Sequence, residues 1–172
     1  MIKKITIAID AMGGENSPTK TIEGINKFIK DNVSKEDFIL NVYGNENLIK
    51  KEFSRLNTPL KFVNIIHTDS VVSDKETPLT AVKNSKNTSM WKCIKSQIEG
   101  NSDISLSAGN TGVLLVISRM ILKMMNEVSK PALAGLWPNQ NGMNVVLDLG
   151  ANIECNDSNL VDNKKFVEKV YY

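Results

Sequence analysis

The apolar positions of this chain fall alternately into short continuous runs and into helically spaced sets. Ile5 to Ile9 is a brief apolar run rich in β-branched residues, followed by the turn-forming stretch Asp10-Ala11-Met12-Gly13-Gly14-Glu15-Asn16-Ser17-Pro18. That order predicts a strand and then a loop. Ser17 followed by Pro18 predicts a helix start, with the serine oxygen as cap and the proline at the first helical position. Ile22, Ile25, Phe28 and Ile29 recur behind it at helical spacing. A strand over Phe38 to Tyr43, a helix over Glu46 to Leu56 and a strand over Leu60 to Ile66 are expected next. Thr77-Pro78 repeats the cap-then-proline signal. The helix it is expected to open carries Leu79, Val82, Met90, Cys93, Ile94 and Ile98 on one side and stops near Gly100. A strand beginning near Asp103 leads through Ser107-Ala108-Gly109-Asn110-Thr111-Gly112 into the helix-like run Val113 to Ser118. Two further apolar runs, Ala132 to Trp137 and Asn144 to Leu147, precede Asp148-Leu149-Gly150-Ala151-Asn152.

Strands alternating with helical segments predict an α/β layered fold with a mainly parallel sheet, in which ligands bind beyond the carboxyl ends of the strands. The loops Asp10 to Gly14, Ser107 to Gly112 and Asp148 to Asn152 each leave a strand and each set Gly beside Asn or Asp. In one parallel sheet they would share an edge and line one cleft. Ser107 to Gly112 has the makings of an anion loop: small residues admit a ligand to the backbone, Asn110 and Thr111 add side-chain donors, and the next helix opens with N–H groups that favour negative charge.

Composition narrows the class without choosing the chemistry. A chain of 172 residues, 41% hydrophobic, is long enough for one domain with its own core. Its 21 basic and 19 acidic residues leave a net charge of +2, which points to no polyanionic partner, and nucleic acid is not expected. The apolar stretch that follows the basic start is too short for a signal-peptide core and ends at Asp10, and no run approaches the roughly 18 apolar residues of a membrane span, so a cytoplasmic protein is expected. Two cysteines, Cys93 and Cys155, are too few for a disulfide scaffold or a cysteine-rich metal site.

The three loops, in this order and spacing, resemble those of the phosphate acyltransferase family of bacterial phospholipid synthesis, PlsX. That family's Asp-Ala-Met-Gly-Gly-Asp stands as Asp10-Ala11-Met12-Gly13-Gly14-Glu15, and its Ser-Ala-Gly-Asn-Thr-Gly is unchanged at 107 to 112. Its Arg-Pro-Ala-Leu is Lys130-Pro131-Ala132-Leu133, and its Asp-Val-Gly-Ala-Asn is Asp148-Leu149-Gly150-Ala151-Asn152. The lysine-rich segment ending in Ser-Ser-Met is similar to Lys83-Asn84-Ser85-Lys86-Asn87-Thr88-Ser89-Met90, with Ser85 where a basic residue is common. The likeness runs from Ile5 to about Leu160. Family members are about twice as long, so the resemblance implies the amino-terminal half of a longer domain, with residues 1–172 forming a single, truncated α/β unit. It also implies a three-layer, Rossmann-like fold of the isopropylmalate dehydrogenase-like superfamily.

By resemblance, the reaction is acyl–acyl carrier protein plus inorganic phosphate to acyl phosphate plus free carrier protein, with no metal or organic cofactor. Acyl carrier protein and phosphate are then the partners. A family homodimer is implied, although the dimerising region has no counterpart here, and membrane contact belongs only to the full-length relatives. For that reaction Asn110, Thr111 and the Gly109 to Gly112 backbone, following Ser107, are expected to bind phosphate or the oxyanion. Gly13 and Gly14 admit the ligand from the other side, Lys83 or Lys86 supplies charge, and Asp10, Asp148, Gly150 and Asn152 shape the loops or orient donors.

Plainer readings stand beside these. The glycines serve tight turns, and Asp10 and Asp148 cap backbone N–H groups. Lys83 and Lys86, three apart on one expected helix, form a solvated face. Met120, Met124 and Met125 either line an acyl groove or pack in the core. His67 and Cys155 carry no partner spacing for catalysis, and Trp91 and Trp137 are packing residues. The competing functions are a truncated, inactive fragment that retains an anion- or partner-binding half-site, and a nucleotide-dependent dehydrogenase. The latter is disfavoured because no Gly-x-Gly-x-x-Gly follows the first strand.

Overall fold

The computed structural model describes residues 4–32, 37–72, 80, 83, 85–126, 128–140, 142–150, 154 and 156–171, the last six by backbone alone. The chain forms two compact units, Met1–Leu122 and Lys123–Tyr172.

In the first unit, strands β1 (Ile5–Asp10), β2 (Phe38–Gly44), β3 (Val63–His67) and β4 (Ile104–Ser107) form one parallel sheet in the order β3-β2-β1-β4. The alternation of β1 decides what covers each face. Ile7 and Ile9 pack toward the buried cluster of Ile22, Ile25 and Ile29 from α1 (Thr19–Asn32) and Ile49 and Phe53 from α2 (Glu46–Arg55). Ala8 packs with Tyr43 and with Cys93 of α3 (Ser89–Ile98). A third cluster joins Met90 and Ile94 of α3 to Val113, Ile117 and Ile121 of α4 (Thr111–Leu122). Helices on both faces of a parallel sheet give the expected three-layer α/β arrangement.

Local signals decide the helix ends, and two differ from expectation. Ser17 does not cap α1: its hydroxyl donates to the Gly13 carbonyl, and Pro18 precedes the first helical residue, Thr19. Thr88 caps α3, accepting from the Trp91 N–H at 3.3 Å, and a 3-10 turn over Ser85–Asn87 comes before it. Lys86 therefore lies in that turn rather than on α3, and the Thr77-Pro78 signal falls outside the described residues. Asn45 caps α2 by accepting from the Leu48 N–H at 3.1 Å. His67 supports the same helix end: its Nδ1 accepts from the Glu46 N–H at 3.2 Å, leaving Nε2 to donate to Asp69 at 2.7 Å. The expected strand over Leu60 to Ile66 begins instead as a 3-10 turn, Leu60–Phe62, with β3 following.

The second unit holds β5 (Ala134–Asn139) and β6 (Gly142–Leu147) as an antiparallel pair, and α5 (Asp157–Tyr171), a helix the periodicity did not predict. Asp162 of α5 accepts from the Ser129 N–H at 2.9 Å and from its hydroxyl at 2.7 Å, and these bonds hold its carboxyl below the usual range. Trp137 is 62% exposed, so it is not the packing residue expected, whereas Trp91 packs beside the α3–α4 cluster. Met120 is 52% exposed and lies outside that core.

Ile22 is fully buried and Ile98 is 57% exposed. Ile22→Ala should lower unfolding stability by about 2–5 kcal/mol, and Ile98→Ala by no more than about 0.5 kcal/mol, both measured by urea denaturation.

Candidate functional site

Parallel pairing sets the carboxyl ends of β1 and β4 side by side, with Asp10 opposite Ser107 in register. Asp10 is 2% exposed, so its carboxylate needs hydrogen bonds to compensate for lost water. It accepts the Ser107 hydroxyl at 2.7 Å and the Met12 N–H at 3.2 Å. The Ser107 oxygen in turn accepts the Gly109 N–H at 3.1 Å. A relay of donors thus ties two loops together across 97 positions of sequence.

Glycine is required where these loops touch. A Cβ on Gly13 would stand 2.5 Å from the Asp10 carboxylate and 2.9 Å from both the Gly109 nitrogen and the Ser107 hydroxyl oxygen. Gly14 has φ +92°, and a Cβ there would meet the Ala108 carbonyl oxygen at 2.7 Å. Asp10, Gly13, Gly14, Ser107 and Gly109 are therefore one contiguous cluster.

Asn110 continues the cluster into α4. Its side-chain oxygen accepts the Val113 N–H at 3.1 Å and its carbonyl accepts the Leu114 N–H at 2.9 Å, making it the helix cap. Because Gly109 gives its N–H to Ser107, the loop's forward donors are the Asn110 side-chain amide, the Thr111 hydroxyl and the first-turn N–H groups of Thr111 and Gly112. Those N–H groups have no acceptor within a helix, and the helix dipole there favours an anion. Thr111 is exposed and Asn110 and Gly112 are half-buried, so the loop is open to a ligand.

The other expected residues do not join this cluster in the same way. Asp148 and Gly150 follow β6 with φ +55° and +80°, and the Gly150 N–H bonds the Asp148 carbonyl at 2.6 Å. They belong to the second unit, whose strands are antiparallel, so the inference from one parallel sheet to one shared edge applies to the Asp10 and Ser107 loops and not to theirs. Asn152 lies outside the described residues. Lys83 and Lys86 are exposed, and neither lines the cavity beside the loops. The lysine that does is Lys20 on α1, which no motif singled out; Glu15 and Ser17 line it as well.

That cavity, about 620 Å³, runs from Gly13, Gly14, Ser17 and Ala108 along α1 and the β1–β4 side of the sheet. Cys93, behind Asp10, is no nucleophile: burial first and the Asp10 charge second push its thiol up to about 12. Among the described residues, no group of three or more His, Cys, Asp or Glu side chains could hold a metal ion.

The close fit at Gly13 has a measurable consequence. Gly13→Ala should cost about 1–3 kcal/mol through overpacking against Asp10 and Gly109, whereas Gly24→Ala on α1, where a Cβ meets nothing within 4 Å, should be neutral or stabilising by up to about 1 kcal/mol. Thermal denaturation of the two variants checks the difference.

A family profile described as "Fatty acid synthesis protein" matches residues 5–167. A phosphate acyltransferase of Pelagibacter ubique (strain HTCC1062) is 50% identical over 162 residues, 94% of this chain and 47% of that relative. One from Maricaulis maris (strain MCS10) is 36% identical over 157 residues, 91% of this chain and 44% of that relative. The chain thus spans about half the length of the curated relatives it matches. Among solved structures, EutD phosphotransacetylase from Staphylococcus aureus superposes with a TM-score of 0.55 at 12% identity, covering 94% of this chain and 52% of that one, a likeness of fold. Matched by that family's profile over residues 5–167, this protein belongs to the fatty acid synthesis protein family.

Proposed function

We propose that this chain carries the phosphate-binding part of a phosphate acyltransferase, which moves an acyl group from an acyl carrier protein thioester to inorganic phosphate. The observation that carries the reading is the welded pair of loops, Asp10 to Gly14 and Ser107 to Gly112, at one end of the parallel sheet beside the start of α4. The names of the relatives support it.

Phosphate is already an anionic nucleophile, so the protein has to bind it, aim it and stabilise the oxyanion that forms. A phosphate oxygen attacks the thioester carbonyl, the carbon–oxygen bond forms, the carbon–sulfur bond breaks, and the carrier thiolate leaves and takes up a proton. Asn110, Thr111 and the N–H groups of Thr111 and Gly112 hold phosphate or the oxyanion. Ser107 and Gly109 fix the loop's shape, Gly13 and Gly14 leave room on the facing side, and Asp10 is a positioning residue acting through Ser107. Lys20, at the cavity, is better placed to add charge than Lys83 or Lys86. In this reading residues 1–172 correspond to the amino-terminal half of the relatives' domain, and the full-length working protein is a cytoplasmic homodimer.

A second reading is a half-site that binds an anion and does not turn over. Formation of acyl phosphate with release of one carrier thiol per phosphate consumed separates the two. The site itself is tested by Asn110→Asp, which keeps the oxygen that caps α4 but replaces amide donors with a negative oxygen. Phosphate affinity, measured by calorimetry, should fall at least about tenfold while the melting temperature holds, because a charge-assisted bond of about 1.5–3 kcal/mol is lost. Unchanged phosphate affinity would count against the assignment.

A further inference from the structure

We infer that Met90 is a positioning residue for the phosphate loop: the tip of its side chain packs on the Gly109 backbone and holds the turn that presents Asn110, Thr111 and Gly112. This deepens the phosphate reading of that loop and rests on it. Met90 is 1% exposed, so it acts through Gly109 rather than on a ligand.

The reach of Met90 follows from its place in α3. It is the second residue of that helix, and helical side chains lean toward the N-terminus, so a long one here projects past the helix start. Its root is fixed. Thr88 caps the helix and its hydroxyl donates to the Ser85 carbonyl at 2.7 Å, while the Ser89 N–H donates to the Ser70 carbonyl at 3.1 Å. Its far end lies against Gly109, where an added Cβ would stand 2.7 Å from the Met90 methyl carbon. The same Cβ would stand 3.3 Å from the Ser107 hydroxyl oxygen and 3.4 Å from the Gly13 Cα, so Gly109 lies where the two loops and α3 meet. The Ser107 bond fixes the Gly109 nitrogen, and Met90 fills the side on which a side chain would have grown. Met90 also belongs to the buried cluster that holds Val113 of α4. Asn110, Thr111 and Gly112, which carry the forward donors, thus stand between Gly109, which Met90 touches, and Val113, which shares its cluster. An unbranched, flexible thioether suits the task, because it fills irregular space against bare backbone. Donors set in place beforehand bind an anion better than donors that must be ordered by it.

Met90→Leu separates the clamp from the core in the 172-residue chain, since it keeps a similar apolar volume but ends short of Gly109. Affinity for inorganic phosphate, measured by calorimetry, should fall at least about threefold, because the ligand must then order the loop itself. Without phosphate, the Gly109 amide should exchange with solvent faster than in the unaltered chain. Ile94→Val, which thins the same cluster one turn along α3, should lower the melting temperature and move neither readout. Gly109→Ala should weaken phosphate binding when Met90 is present and much less beside Met90→Leu, where the added methyl takes the space given up. Where the unaltered chain binds phosphate, three results would each overturn the inference: unchanged affinity in Met90→Leu, an equal loss in Ile94→Val, or an equal effect of Gly109→Ala in both backgrounds. Faster Gly109 exchange in Met90→Leu, with no phosphate bound by the unaltered chain, overturns the phosphate reading and leaves the clamp standing. Neither binding nor faster exchange overturns both.

Discussion

The hydrogen bond from Ser107 to the buried Asp10 carboxylate is the constraint on which the site depends. A carboxylate 2% exposed is tolerated only when its oxygens are engaged, and here the Ser107 hydroxyl and the Met12 N–H engage them. The bond fixes the register of β4 against β1 at the sheet's edge. It also orients the Ser107 oxygen to receive the Gly109 N–H, which bends the loop toward the cap at Asn110. Gly13 is the steric counterpart, since any side chain there would push against the same carboxylate and the same nitrogen. Substrate chemistry then has a rigid platform, built from strand ends and a helix start rather than from free loops.

Much of this was legible in the sequence. The β-branched run Ile5 to Ile9, the helically spaced isoleucines of α1 and the alternation of elements up to α4 follow from burial on one face or both, and the structure reproduces them. What failed was local competition between equivalent signals. Ser17 and Thr88 are both good caps, but the Gly13 carbonyl takes the Ser17 hydroxyl, while Thr88 is free to cap the helix packed on Cys93 and Met90. The β5–β6 hairpin was missed although Asn141-Gly142 is a hairpin signal, because both apolar runs were read into a parallel sheet. α5 was missed because its apolar residues are few, and Leu160 and Val161 are exposed.

The site was legible as motifs but not as a division of labour. Small residues with Asn and Thr after a strand point to an anion, yet only the fold reveals that the Gly109 N–H is occupied by Ser107 and that the Asn110 oxygen is occupied by Val113. Those two bonds move the ligand's donors toward Thr111, Gly112 and the Asn110 amide. Lys20 and the α1 wall carried no motif at all; they become relevant only because α1 packs beside the loop pair. The Asp10 and Ser107 loops both lie within the first unit, Met1–Leu122, so the proposed phosphate binding can be examined on the chain as it stands.

Titrating inorganic phosphate into isotope-labelled protein while following backbone amides by NMR tests the phosphate site most directly. Saturable shifts concentrated at Asn110, Thr111 and Gly112, with Gly13 and Gly14 moving in step, are the predicted result. Shifts that never saturate, or that centre on Lys83 and Lys86 while the loop amides stay still, would contradict a phosphate site built on the Asp10–Ser107 bond.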